Sequence, residues 1–164
     1  MFKLALMQEE DFSRAWHEII EPIIKHEDTF VDDVNADYQQ IRAVWFADYT
    51  RAYIAEDENN NNVGCFFLRP YYRGSRANGV ANAGFMTNPK YRNQGVATFM
   101  VNKAEKIAVE FGFNSILFHA VVAENKAAVA LWLKLGYQTI ASLPQVYKLQ
   151  DGNLSDLLIM HKQL

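Results

Sequence analysis

The sequence predicts a single mixed α/β domain over residues 1–164, built on a central, strongly twisted sheet of about seven strands with about four helices. Three observations carry this. Strand-like runs follow one another before residue 88 with only turns between them, the pattern of an antiparallel meander. Beyond that point a strand, a helix and another strand alternate, the pattern of a parallel crossover. Half of the residues are hydrophobic and 13% are aromatic, enough for a sizeable core.

Residues 4–7 read as a short strand. Phe12, Trp16, Ile19, Ile20, Ile23 and Ile24 recur at helical spacing, which predicts an amphipathic helix from residue 9 to about 25. Pro22 should kink or split it. Residues 26–34 are acidic and turn-rich, and Asn35 offers an N-cap for a second helix to about residue 47. Three strands follow at 50–56, 63–71 and 80–87. The first two are joined by a loop with four consecutive asparagines, residues that tolerate positive φ. Residues 73–79 form a longer, cationic loop. A third helix carries Val96, Met100, Ala104, Ile107 and Phe111 on one face, with Gly112 as its stop. Residues 115–122 are almost continuously apolar, as in a strand covered on both faces. Residues 125–135 are apolar nearly all round, which predicts a buried helix ended by Gly136. Strands at 138–142 and about 154–161 close the chain around a loop containing Pro144.

The net charge of −3 and the lack of a Lys/Arg cluster argue against nucleic-acid binding. The one cysteine, Cys65, excludes an internal disulfide and a Cys-based metal site, and its apolar setting predicts an inert buried thiol. No metal is expected. No signal-peptide pattern appears, and no apolar run approaches the ~20 residues of a membrane span. A soluble, cytoplasmic protein without a membrane partner is the expectation. No GxGxxG follows the first strand, which argues against a dinucleotide fold.

The segment with the most chemistry is 88–97, an extended approach containing Pro89, a turn of amide and small residues, and then a helix start. Such a turn leaves backbone N–H groups without intrahelical partners, and with the helix dipole they favour a phosphate or pyrophosphate. Gly95 and Ala97 keep side chains off that anion. Arg92-x-x-Gly95-x-Ala97, placed between strand and helix, resembles the pyrophosphate loop of the GNAT N-acetyltransferase superfamily. In that family the first position is Arg or Gln and the last Gly or Ala. Asn125, Ala128, Leu131, Trp132 and Leu135-Gly136-Tyr137 resemble the family's Asn-containing penultimate helix and its ending. A closer likeness, to a subgroup of acetyltransferases, runs through 80–86, 118–122, 130–137 and 143–160. It covers the last half of the chain.

The resemblance implies a GNAT-like acyl-CoA N-acyltransferase fold. It also implies acetyl transfer from acetyl-CoA to a primary amine of a small molecule, an amino acid or related compact amine, in a ternary complex. A peptide or protein acceptor, and a catalytically silent CoA-binding module, stay open. A homodimer is the family habit. Mapped onto this sequence, Arg92, Asn93, Gln94, Gly95, Val96, Ala97 and Thr98 would hold the pyrophosphate. Phe85, Met86 and Thr87 would pair with the pantetheine arm, and Asn125 would bond it from the other side. Many members have a Tyr in the penultimate helix to protonate the leaving thiolate. Here the position is Trp132, whose indole N–H donates a hydrogen bond but is no usable acid. Asn82 is either in the substrate pocket or satisfied within the sheet. His119 is either a base or a structural histidine. Glu27 and Asp28 fall in a loop that the topology would bring over the acceptor, and otherwise read as solvated acids. Tyr72 is a candidate wall of the substrate pocket.

Overall fold

Among the described residues seven strands form one sheet in the order β1-β2-β3-β4-β5-β7-β6. They are β1 (Lys3–Leu6), β2 (Arg51–Glu56), β3 (Asn62–Pro70), β4 (Val80–Thr87), β5 (Ser115–Val122), β6 (Gln138–Lys148) and β7 (Leu154–Gln163). Every neighbouring pair is antiparallel except β4 and β5. This computed structural model describes residues 1–26 and 29–164, so Glu27 and Asp28 lie outside the described residues.

The first helical rod is α1 (Glu9–Ala15), a π-helical turn (Trp16–Ile20) and α2 (Glu21–His26). The break expected from Pro22 takes this form. Pro22 has no N–H to donate one turn back, and the ladder widens so that the Glu21 N–H reaches Trp16 O. Helix α3 (Tyr38–Trp45) starts later than the sequence suggested, because Asp37 rather than Asn35 caps it. Asp37 and Gln40 form a reciprocal capping box with both bonds at 2.9 Å, whereas the Asn35 N–H is held by Asp33 Oδ1 at 2.8 Å. On one face of the sheet α1, α2 and α3 bury Phe12, Trp16, Ile19, Ile41 and Trp45 against Ile54, Cys65 and Met86. Burial pushes the Cys65 thiol well up, which keeps it protonated and unreactive.

The other face is covered by α4 (Val96–Glu110) and α5 (Lys126–Lys134). Helix α4 lays Val96, Met100 and Ala104 on Val63 and Phe66. Phe111 is not on that buried face; as the C-cap it is 51% exposed. Gly112 and Gly136 end the two helices with paired carbonyl bonds, Phe113 N–H to Ala108 O and Tyr137 N–H to Trp132 O. Helix α5 is not buried all round. Trp132 is its one buried residue, Leu133 is 53% exposed, and Ala127, Ala128 and Leu131 look into a cleft.

Nor are β6 and β7 interrupted at Pro144. Strand β6 runs on to Lys148, with a register shift between Leu143 and Tyr147 and Gln145 at φ 54°. Asp156 holds this bulge by accepting from Ser142 Oγ (3.1 Å) and Gln145 N–H (3.0 Å). A proline is tolerated there because β6 is the edge strand.

Candidate functional site

The parallel pair β4–β5 is joined at only two register positions, Val80 with Ser115 and Ala81 with Ile116. Beyond them the strands part and open a cleft of about 580 Å³. This corrects the expectation that 115–122 is covered on both faces: His119 is exposed where β5 has left β4. Strand β5 also bulges there, with an extra residue between Phe118 and Val121 relative to β7. Along β4 the main chain alternates. The Asn88 N–H bonds Val63 O and the Tyr71 N–H bonds Val80 O, so even-numbered residues face β3. The peptide groups of Ala83, Phe85 and Thr87 therefore face the cleft, while those of Met86 are turned to β3.

At one end the cleft meets the start of α4. Asn88 fixes the approach, its Nδ2 donating to Asn62 O (2.8 Å) and its Oδ1 accepting from Lys90 N–H (3.1 Å). Asn93 (φ 60°) and Gly95 (φ 82°) are both left-handed, the kind of backbone from which anion-binding turns are built. Among the described residues no side chain caps the helix, and its first bond is Phe99 N–H to Gly95 O. The N–H groups of Val96, Ala97 and Thr98 therefore have no partner among the described residues. A Cβ on Gly95 would meet nothing within 4 Å, so the glycine is needed for its φ.

The other end holds Arg69, Asn82, His119 and Asp32, all lining the cleft. Arg69 and Asn82 are cross-strand partners, which sets Arg69 Nε on Asn82 Oδ1 at 3.3 Å. Asn82 Nδ2 donates to Leu117 O at 3.0 Å, so a side chain makes the next bond across the gap after the ladder stops. The same Nδ2 lies 3.2 Å from His119 Nδ1. Arginine only donates and a carbonyl only accepts, so the orientation of the Asn82 amide is fixed. Hence His119 Nδ1 accepts and the imidazole proton sits on Nε2. Partial burial and then the Arg69 charge hold the His119 pKa below its usual value, while Asp32 works the other way. Burial raises the Asp32 carboxyl above the ordinary range, opposed by Arg69 and His119. Converting Asn82 to Asp should reverse the first of these effects. The acid limb of any pH profile set by His119 should move upward, because a carboxylate beside Nδ1 favours the imidazolium; titration of His119 by NMR checks it.

Of the residues singled out from sequence, Asn82, Phe85, Met86, Thr87, Arg92, Asn93, Gly95, Val96, Ala97, Thr98, His119, Asn125 and Trp132 line this one cleft. Gln94 is not among the lining residues; its Nε2 donates to Lys90 O at 3.3 Å. Tyr72 lies outside, 54% exposed and edge-on to Tyr71. Trp132 packs against Phe118 (4.7 Å), Phe85 (5.6 Å) and Tyr137 (5.9 Å). Burial holds the Tyr137 phenol far above its usual pKa, which makes it a weaker acid, and it is not among the residues lining the cleft. Asn125 caps α5 through Oδ1 (3.2 Å to Ala128 N–H), and its Nδ2 has no partner among the described residues. Asp32 and Arg69 escaped sequence reasoning. The only sign of Arg69 was a lone charge closing an apolar strand run, and Asp32 was one acid among several.

Gly84 shapes the cleft by close approach. A Cβ there would lie 2.6 Å from the Phe67 ring, which is wedged between Trp45 and the Arg69 guanidinium. Gly84→Ala should cost about 1–3 kcal/mol by overpacking, read from urea denaturation.

Residues 10–137 match the family model described as the Acetyltransferase (GNAT) family. N-acetyltransferase aca1 of Schizosaccharomyces pombe is 31% identical over 81 residues, which make up 49% of this chain and 38% of that protein. YwnH of Bacillus subtilis, which carries the provisional name phosphinothricin acetyltransferase, is 27% identical over 126 residues, 75% of this chain and 76% of its own. A GCN5-related N-acetyltransferase from Kribbella flavida superposes with a TM-score of 0.91 at 25% identity, covering 99% of this chain and 98% of its own. The yncA protein of Salmonella typhimurium, solved with its cofactor acetyl-CoA, superposes at 0.85 and 17% identity over 100% and 94% of the two chains.

Proposed function

The chain belongs to the GNAT acetyltransferase family, and on that premise we propose that it transfers the acetyl group of acetyl-CoA directly to a primary amine of a small molecule, an amino acid or related compact amine. The observation that carries the reading is the parted β4–β5 pair, with unpartnered N–H groups at one end and a polar cluster at the other. The donors at Val96 to Thr98 suit a pyrophosphate. The open peptide groups of Phe85 and Thr87 suit the amide-bearing pantetheine arm as an added strand, with Asn125 opposite.

The acceptor end favours a compact substrate. Phe30, Val31, Ile41 and Trp45 wall it, and the Phe30 carbonyl is tied down by the Tyr147 hydroxyl at 3.0 Å. The amine nitrogen attacks the thioester carbonyl, the C–N bond forms, the C–S bond breaks, and the amine loses a proton. His119 presents Nε2–H, a donor, so among the described residues lining this cleft Asp32 is the carboxylate able to accept that proton, directly or through water. A strand N–H of β4 facing the cleft would donate to the developing oxyanion. The thiolate, with a reference pKa of about 8.5, departs without a strong acid. Trp132→Phe should accordingly keep kcat within about tenfold of the native value; a loss of a thousandfold with unchanged acetyl-CoA affinity would show that the indole is essential.

The decisive experiment is thiol release from acetyl-CoA against a panel of amines and amino acids. Turnover of a compact amine supports the proposal. Turnover of peptides alone would reassign the acceptor, and tight acetyl-CoA binding without thiol release would make the chain a binding module.

A further inference from the structure

Behind Arg69, Asn82 and His119 lies a second cavity of about 260 Å³, which shares those three residues with the main cleft and is completed by Tyr49, Pro70, Tyr71 and Arg73. Apart from the Tyr49 and Tyr71 hydroxyls, which can donate or accept, its polar side chains leave only donors free. Arg69 and Arg73 only donate. His119, with Nδ1 engaged by Asn82, has Nε2–H left to offer. The Asn82 amide is already spent on Arg69, Leu117 and His119. Among the described residues no acid lines this cavity, and neither arginine has a carboxylate within ion-pair distance. Each guanidinium instead lies over an aromatic ring, Arg69 over Phe67 at 5.0 Å and Arg73 over Tyr49 at 4.8 Å, a contact that restrains it without using its N–H donors.

We propose that this cavity is the subsite for an acid group on the acceptor, a carboxylate or similar oxyanion held by Arg69, Arg73 and His119, so that the preferred amines are α-amino acids. The inference rests on the acetyl-transfer reading and narrows it. An α-amino acid carries its cation and anion on one carbon. The site offers the matching pair, with Asp32 in the cleft close enough to Arg69 and His119 for their charges to act on it. A simple alkylamine would leave the two guanidinium groups without an anion in this cavity. Bidentate pairing of this kind separates acids from neutral analogues strongly, because the unmatched donors are then left unpaired.

The test compares the standard L-amino acids with their carboxamides and decarboxylated amines, on the native chain and on Arg73→Gln. Arg73 is exposed on a loop, so the variant should fold, and circular dichroism verifies that. With the best amino acid, kcat/KM should exceed that of both neutral analogues at least thirtyfold. In Arg73→Gln that preference should shrink at least tenfold, through KM. Equal or faster turnover of the neutral amines by the native chain would overturn the acid subsite and leave acetyl transfer standing. If no amine turns over, calorimetric titration of the amino acids into the protein with CoA decides. Binding weakened tenfold or more in Arg73→Gln supports the subsite; no binding, or binding indifferent to Arg73, overturns it.

Discussion

Replacing Asp32 by Asn should lower kcat by about a hundredfold, the lower end of what a positioned base contributes, while acetyl-CoA affinity stays within about twofold. The amine arrives mostly as an ammonium, since a lysine-like pKa is about 10.4. Its proton must leave as the C–N bond forms. Asp32 lines the same cleft as Asn82, His119 and Phe85, and burial makes its carboxylate more basic than an ordinary one. Asn has nearly the same shape and cannot take a proton. The pH dependence has a definite sign. Activity should fall as pH drops through the raised pKa of Asp32, so the acid limb lies above the ordinary carboxylate value of 3.8. Stability runs the other way. A carboxyl whose folded pKa is raised favours the fold below its unfolded pKa, and that contribution is lost as pH rises through the folded one. At neutral pH Asp32→Asn should therefore melt no lower than the native chain. A slow but undiminished Tm separates a catalytic role from a structural one; a kcat loss below threefold would remove Asp32 from the reaction.

That Asp32 was invisible in the sequence follows from what patterns encode. The cofactor half of the site is local: Asn88, Asn93, Gly95 and the start of α4 lie within ten residues, so their geometry is written in consecutive turn chemistry. The antiparallel meander and the parallel crossover could be anticipated because helices begin to alternate with strands after residue 88, but the insertion of β7 between β5 and β6 could not. The acceptor half is assembled from β3, β4, β5 and the loop before α3, and only tertiary structure sets Arg69 across from Asn82 or Asp32 near both. Edges were misjudged for related reasons. The Asp37–Gln40 box outcompeted Asn35 because two reciprocal bonds beat one. Helix α5 looked buried because apolar residues surround it, yet part of that surface faces the cleft. Pro144 looked like a loop because a bulge on an edge strand leaves no periodic trace.

Gly95→Val should raise the Kd for acetyl-CoA about a hundredfold, equivalent to about 2.7 kcal/mol. At φ 82° a β-branched residue is strained by roughly 1–3 kcal/mol, and the empty space around a Cβ at that point offers no contact in return. The loop can relieve the strain only by rotating out of the left-handed conformation. That rotation turns away the N–H groups of Val96, Ala97 and Thr98, which no other residue among those described claims. Hydrogen bonds from such donors to a charged phosphate are worth about 1.5–3 kcal/mol each, so losing the equivalent of one or two accounts for the effect. The melting temperature should drop only about 2–8 °C, as expected when 1–2 kcal/mol is lost from a chain of this size. The discriminating comparison uses acetylpantetheine, which has the thioester and the arm but no pyrophosphate. Its kcat/KM should change by less than threefold between the native chain and Gly95→Val. If both thioesters lose a hundredfold, Gly95 acts through the whole cleft rather than through a pyrophosphate at the start of α4.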